Sequence, residues 1–339
     1  MSVENAKPGT ALTGAEAMVK LLQAHQVEYL FGLCGDTTLP FYDALHRLDH
    51  GISHVLTRDE RAAAYMADGY ARISGRVGVC EGPSGGGATY ILPGIVEANE
   101  SSVALVSITS DVSVASRGHY PLTELSQERL FAPLTQFNAV IEQPARLAPL
   151  VRAAFRSATT GRPGAAHLGF PIDIQKSIVD PADIWAQGEF SRFPAWPAAP
   201  DPAAVEAALV LLMDARRPLA VCGGAVVSCG AEAQLAEFAQ RFNLAVATTV
   251  SGKGALADNH PLALGVIGSN GGTPPTRAVV DAADLVIFIG CRAGSVTTER
   301  WRSPLPGVKV IQLDCDPMVI SATYPTDVAL VGDAGLSLA

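Results

Sequence analysis

Glu60 opens the stretch Thr57-Arg-Asp-Glu60-Arg-Ala-Ala-Ala-Tyr-Met-Ala-Asp-Gly-Tyr-Ala-Arg72, where apolar residues at Ala63, Ala64, Met66, Ala67 and Tyr70 mark one face of a helix. A carboxylate in a first helical turn complements the helix dipole, and by itself asks for no further role. The turns Phe31-Gly-Leu-Cys34-Gly35-Asp36 and Ser84-Gly85-Gly86-Gly87-Ala-Thr89 flank it in sequence, and glycines after strands have ordinary backbone reasons. Cys34, Cys80, Cys222, Cys229, Cys291 and Cys315 include no Cys-x-x-Cys pair, so they read as buried free thiols. His46 and His50 stand four apart with His54 close behind. No carboxylate or thiol joins them at ligand spacing, so a solvated helix end is expected and no metal site is predicted. Lys253 is no phosphate-loop lysine, because Gly254 stands where Ser or Thr would bind magnesium.

The elements that would carry these residues alternate. A helix is expected over 13–26, a buried strand over 27–33, a helix over 39–48, a strand over 51–56, the Glu60 helix over 60–72, and a strand over 77–80. A glycine-rich loop, a helix over 91–99 and a strand over 103–108 follow, and a helix over 147–159 with a strand over 165–168 closes the first unit. Pro181, Pro194, Pro197, Pro200 and Pro202, with Trp185 and Trp196, mark a linker lying on the protein. Beyond it the alternation resumes: helix 203–213, strand 219–222 running into Gly223-Gly224, helix 231–242, strand 245–248, helix 276–282, and strands 285–289 and 309–313. Such alternation indicates parallel α/β sheets, whose ligands bind at strand ends. The expectation is two doubly wound parallel-sheet domains, 1–180 and 201–339, joined by a Pro-rich linker over 181–200.

Composition agrees and excludes several classes. Hydrophobic residues make up 48% of the 339 and charged residues 17%, which suits buried strands covered by helices and argues against disorder. The net charge of −9 is interrupted by no basic cluster, so neither nucleic acid nor an anionic membrane is an expected partner. Met1-Ser-Val-Glu-Asn-Ala-Lys-Pro8 lacks a signal-peptide pattern and no apolar run reaches about 18 residues, so a cytoplasmic location is expected.

Taken together, four segments in register change the reading of Glu60. The helix ending Ala67-Asp-Gly-Tyr-Ala-Arg72 resembles the pyrimidine-binding domain of thiamine-diphosphate enzymes of the acetolactate synthase and 2-oxo acid decarboxylase superfamily. Phe31-Gly-Leu-Cys34-Gly35 is similar to that family's Phe-Gly-x-Pro-Gly turn, with Cys34 replacing proline. Ser84-Gly85-Gly86-Gly87-Ala-Thr89 is similar to its Ser-Gly-Pro-Gly-Ala-Thr loop, with Gly86 replacing proline, and residues 105–112 resemble its Ile-Thr-Gly-x-Val segment. Farther on, Gly223-Gly224, Thr248-Thr249, Gly252-Lys-Gly254, Gly268, Gly290-Cys-Arg292, Asp314-Cys-Asp-Pro317 and Val331-Gly-Asp333 resemble the family's middle domain. The likeness covers nearly the whole chain from Leu12 onward.

The resemblance implies that Glu60 hydrogen-bonds N1′ of the aminopyrimidine, so that the 4′-amino group reaches its imino form and removes the thiazolium C2 proton. Burial against apolar groups disfavours the charged carboxyl, which would prepare Glu60 to donate. The coenzyme then accepts the electrons released when a 2-oxo acid loses carbon dioxide, and the product takes a proton or joins a carbonyl acceptor. Cys34, Gly35, Asp36, Ser84, Gly85, Gly86, Gly87 and Thr123 would line the ring and the substrate entrance. Thr123 stands where relatives making acetolactate often carry Gln, so the product stays open.

In the middle domain the resemblance implies FAD, ADP or no nucleotide. Strand-end glycine amides would face the phosphates and a carboxylate would meet hydroxyls and amines, with Gly223, Gly224, Thr248, Gly268, Gly290, Arg292, Asp314 and Asp333 as the candidate residues. Flavin-binding relatives usually continue past the arginine with two aspartates, where this chain reads Arg292-Ala-Gly-Ser. The family grips the diphosphate through Mg2+ with Gly-Asp-Gly, then Asn-Asn, and no Gly-Asp-Gly occurs here. The expectation is therefore a two-chain enzyme, a hetero-oligomer with paired copies of this chain, whose partner subunit supplies the diphosphate-binding domain and holds Mg2+; a truncated fragment is the alternative to a natural split. Two rival readings stand beside it: an adenine-nucleotide-binding or regulatory relic of the family, and an NAD-using enzyme, for which no Gly-x-Gly-x-x-Gly follows 219–222.

Overall fold

Strands covered on both faces need apolar residues on both sides, and the runs centred on Leu30, Val79, Val106 and Leu168 supply them. The computed structural model describes residues 11–339; Met1 to Thr10, and with them the reading of the N-terminal stretch, lie outside the described residues. One compact unit ends at Ala195 and a second spans Trp196–Ala339.

In the first unit β1 (Leu12–Thr13) pairs antiparallel with a late strand, while β2 (Tyr29–Gly32), β3 (Ser53–Leu56), β4 (Gly78–Gly82), β5 (Leu105–Asp111), β6 (Phe137–Val140) and β7 (Ala165–Pro171) form one parallel sheet. The late strand is β8 (Ile178–Val179). The sheet order is β3-β2-β4-β5-β7-β6, so the chain runs outward in opposite directions from the β2/β4 junction. Connecting helices are α1 (Gly14–Ala24), α2 (Leu39–Arg47), α3 (Glu60–Ser74), α4 (Gly86–Tyr90), α5 (Leu92–Glu100), α6 (Gln127–Phe131), α7 (Leu147–Thr159) and α8 (Ile172–Lys176).

Local signals set these boundaries. Thr13 and Glu16 form a reciprocal capping box that starts α1. Asp59 caps α3 by accepting from Arg61 N at 2.8 Å, and Gly75 at φ +67° ends it. The helix expected over 91–99 is α5, with Pro93 in its first turn, and the Gly-rich loop before it proves to carry the short helix α4. β6 was not legible: Phe-Asn-Ala-Val at a half-buried edge carries no clean apolar pattern.

α3 presents Ala63, Ala64, Ala67 and Ala71, all buried, to its neighbours. Their small size lets the helix approach so closely that a Cβ at Gly78 would overlap the Ala67 carbonyl oxygen, and one at Gly94 would lie 2.5 Å from Ala64 Cβ. Gly78→Ala is therefore expected to cost about 1–3 kcal/mol by pushing α3 outward, read as a lower denaturant midpoint with unchanged slope. A midpoint equal to wild type would show that the helix yields freely.

The second unit holds β9 (Pro218–Cys222), β10 (Ala245–Thr248), β11 (Ala263–Val266), β12 (Leu285–Ile289), β13 (Lys309–Asp314) and β14 (Val328–Val331), parallel and ordered β11-β10-β9-β12-β13-β14. Its helices are α9 (Pro202–Asp214), α10 (Gly224–Ser228), α11 (Glu232–Phe242), α12 (Pro274–Ala282) and α13 (Ala334–Leu338). Apolar clusters fill both faces of this sheet. Strands β11 and β14 lay outside the pattern seen in the sequence, being half-buried flanking strands. Among the described residues no helix is long and apolar enough to cross a membrane.

Candidate functional site

Open parallel sheets bind ligands beyond the carboxyl ends of their strands, where the strand order reverses. In the first unit that point is the β2/β4 junction, and the turns singled out in the sequence converge there. Gly35 packs on the loop after β4, since a Cβ on it would lie 2.5 Å from Pro83 Cβ. Gly87 does the same from the other side, with Pro83 Cδ at 2.5 Å. Gly85 adopts φ +66°, and its Cβ would sit 2.6 Å from Thr123 Cβ, so backbone conformation and space both require glycine.

Four hydroxyls tie these loops together. Thr37 donates to Ser84 Oγ at 3.0 Å and lies 2.9 Å from Ser110 Oγ at the end of β5. Ser84 N donates to Thr37 Oγ1, and Ser84 Oγ lies 2.7 Å from Thr123 Oγ1. Thr123 holds φ +73°, a region that β-branched residues rarely enter, so the segment is fixed over the glycine loop at a local cost. Cys34 is exposed and Asp36 begins a single 3-10 turn beside it. Thr37 carries no spacing signal as an isolated hydroxyl, and Ser110 stood in the sequence only as part of the 105–112 likeness.

Glu60 lies at the first position of α3, 9% exposed, with its Cγ 3.6 Å from where a Gly82 Cβ would be and its Oε1 3.3 Å from that of Gly87. The two glycines thus bring their backbone against the Glu60 side chain. Its carboxyl makes no hydrogen bond among the described residues and is not among their fully buried unpaired atoms, so it keeps some contact with solvent. A carboxyl with a free donor or acceptor oxygen beside glycine backbone is suited to meet a planar ring bearing a nitrogen.

A second carboxyl stands close by. Glu81, in the interior of β4, is 1% exposed and bonded by the Tyr42 hydroxyl, which also lies 3.0 Å from His54 Nε2. Burial first, with the charge of Glu60 adding to it, pushes Glu81 up to about 8, against the hydrogen bonds from Tyr42 and Leu33. Burial raises the Tyr42 phenol and holds His54 below its ordinary value. The signal for Glu81 was available: a charged residue within Val79-Cys80-Glu81-Gly82 breaks a strand that is otherwise apolar.

His54 lies on β3, within the strand expected over 51–56, so the solvated helix end expected for the three histidines holds for His46, in the last turn of α2, while His50 accepts from Ile52 N at 2.9 Å. All six cysteines are free, but only Cys80, Cys222 and Cys291 are buried; Cys34 is exposed, and Cys229 and Cys315 are half-buried. Among the described residues no group of three or more His, Cys, Asp or Glu side chains could hold a metal ion.

In the second unit the strand order reverses at β9/β12. Gly223 and Gly290 follow these strands so closely that a Cβ on Gly223 would overlap the Gly290 carbonyl oxygen. Thr248 ends β10 and Asp314 ends β13, so with Gly224 opening α10 they form one row along this edge, Gly268 following β11. Gly268 at φ +94° packs on the Thr297 backbone, and Arg292 is exposed. Asp314 accepts from Asp316 N at 3.0 Å and is raised by burial, while Asp333 spends one oxygen capping α13 through Leu336 N. Backbone amides are therefore near the reversal point, whereas Asp333 is already engaged.

Comparison with known proteins follows the same division. Residues 12–130 match the family described as thiamine pyrophosphate enzyme, N-terminal TPP binding domain, and residues 205–339 match thiamine pyrophosphate enzyme, central domain. A protein named probable acetolactate synthase large subunit from Methanococcus aeolicus is 39% identical over 333 residues, 96% of this chain and 54% of that protein. Its namesake from Methanocaldococcus jannaschii is 38% identical over 95% of this chain and 54% of its own length. The acetolactate synthase isozyme 3 large subunit of Escherichia coli is 33% identical over 95% and 56% respectively. The chain spans about half the length of the curated relatives it matches.

Proposed function

The chain belongs to the thiamine pyrophosphate enzyme family, carrying its N-terminal and central domains, and on that premise we propose that it supplies the pyrimidine-binding half of a 2-oxo acid decarboxylase or carboligase site. The observation that carries this reading is the Glu60 carboxyl, 9% exposed, with no hydrogen-bond partner among the described residues and set against the Gly82 and Gly87 backbone at the sheet's reversal point. The residues present fit an aminopyrimidine: glycine backbone admits a planar ring at close range, and one carboxyl waits where a ring nitrogen would need a donor.

When bound, thiamine diphosphate supplies a carbon nucleophile and an electron sink for the carboxylate lost from a 2-oxo acid. Glu60 then has one task, to hold a proton at N1′ of the ring and exchange it there. Gly35 and Ser84 to Gly87 bound the ring edge, and the Thr37, Ser84 and Thr123 hydroxyls keep those loops from spreading. Thr123 and the exposed Cys34 and Asp36 border the entrance through which a substrate would arrive.

The diphosphate and Mg2+ are assigned to polypeptide outside these 339 residues, in a hetero-oligomer with paired copies of this chain. The outward face of α3 and α4, with Tyr65, Met66, Ile73 and Tyr90 exposed, offers apolar area for such an assembly. FAD or ADP at the Gly223/Gly290 edge belongs to the same proposal, as does a cytoplasmic setting.

Titrating thiamine diphosphate and Mg2+ calorimetrically into the chain, alone and mixed with a separately produced diphosphate-binding domain, tests the reading. Saturable binding is expected only in the mixture, together with carbon dioxide release from 2-oxo acids. Turnover by the chain alone would sink the two-polypeptide picture. No binding in any mixture, with FAD or ADP still bound, would replace it with the nucleotide-binding relic.

A further inference from the structure

Buried carboxylates ordinarily face a cation or are neutral. Asp111 follows the first course, with Arg117 Nη2 3.0 Å from its Oδ2. Glu81 does not: among the described residues its side-chain partner is Tyr42, whose hydroxyl in turn meets His54 Nε2. The series runs from half-buried His54 on β3, through Tyr42 on α2, to Glu81 on β4. Gly32 makes room for it, since a Cβ there would overlap Glu81 Oε1. Successive strand residues point to opposite faces, so Glu81 faces α2 while Gly82, the next residue, faces Glu60.

Three such groups in line have two arrangements. With the proton on Glu81, its O–H donates to Tyr42 Oη and the Tyr42 O–H donates to His54 Nε2. With the proton on His54, Nε2–H donates to Tyr42 and Tyr42 donates to a Glu81 carboxylate. One proton has moved and no charge is lost. Loss of that proton from His54 to solvent leaves Glu81 anionic, a form that the Tyr42 hydroxyl meets as donor. The remaining titratable groups that bear on the series are Cys34 beside Tyr42, Cys80 next to Glu81 on β4, and Glu60 itself.

We propose that His54, Tyr42 and Glu81 form a proton relay from the half-buried edge strand β3 into the interior of β4, in which one proton passes between His54 and Glu81 through the Tyr42 hydroxyl. Burial acts in its favour at both ends, raising Glu81 and lowering His54, so the proton resides on Glu81 at neutral pH.

Infrared titration of the full chain without coenzyme reads the relay directly. A protonated-carboxyl band is expected at pH 7, vanishing as pH passes about 8, absent in Glu81→Gln and retained in Glu60→Gln. Tyr42→Phe removes a donor to the charged form, so the band should persist to higher pH, which keeps the test usable even if Glu81→Gln fails to fold. No such band, or a band indifferent to both Glu81→Gln and Tyr42→Phe, would overturn the relay.

Discussion

Glu60→Gln in the assembled protein is expected to slow hydrogen–deuterium exchange at C2 of the bound coenzyme by about 10²–10⁴-fold. The amide matches the carboxyl in shape, so α3, capped independently by Asp59, keeps its start. Glutamine can donate a hydrogen bond to a ring nitrogen but cannot surrender the proton, and the exchange of that proton is the whole of the role assigned to Glu60. Coenzyme affinity should therefore fall far less than the exchange rate. A quenched time course followed by proton NMR measures the rate, and calorimetry gives the affinity. Exchange as fast as wild type would remove Glu60 from the chemistry and return it to a helix-opening glutamate.

The second large effect concerns stability. Glu81 is held at about 8 in the folded chain against an ordinary value of 4.5. Between those pH values the folded chain keeps a proton that the unfolded chain has released, so the stabilisation is complete below about 4.5 and is lost as pH rises through about 8. Each pH unit inside that window withdraws about 1.4 kcal/mol, and the total reaches several kcal/mol. Glu81→Gln, neutral in both states, has no such slope. Urea unfolding at a series of pH values should show wild type losing stability relative to Glu81→Gln from mildly acid to mildly alkaline conditions and running parallel to it above that. Parallel curves throughout would mean that Glu81 is charged in the folded chain.

Both effects arise at the same edge because of how a doubly wound sheet is built. The β2/β4 junction is where the chain leaves in opposite directions, which opens a crevice between the loops that follow. Glu60 reaches that crevice from α3, and Glu81 approaches it from within β4. The hydroxyls of Thr37, Ser84, Ser110 and Thr123 brace the loops above it. Rigid support of this kind would keep the carboxyl proposed to react within the narrow geometry that proton transfer demands.

The amino-acid sequence by itself determined the alternation of helices and strands, the two sheets and the turn glycines, and it singled out Glu60 as the candidate. These follow from local rules: apolar periodicity, capping at Asp59, and glycine where φ is positive or backbones crowd. The helix over Leu147–Thr159 was legible to the residue, and four short segments in register were enough to point to the family. Half-buried flanking strands such as Phe137–Val140 escaped because one open face leaves no continuous apolar run. Only the tertiary structure decided that Tyr42, His54 and Glu81 stand in line, that Thr37 links three strand ends, and that Asp333 is occupied as a helix cap. Parallel pairing joins residues far apart in the chain, and burial, which governs a carboxyl's charge, is a property of what surrounds it rather than of its neighbours in sequence.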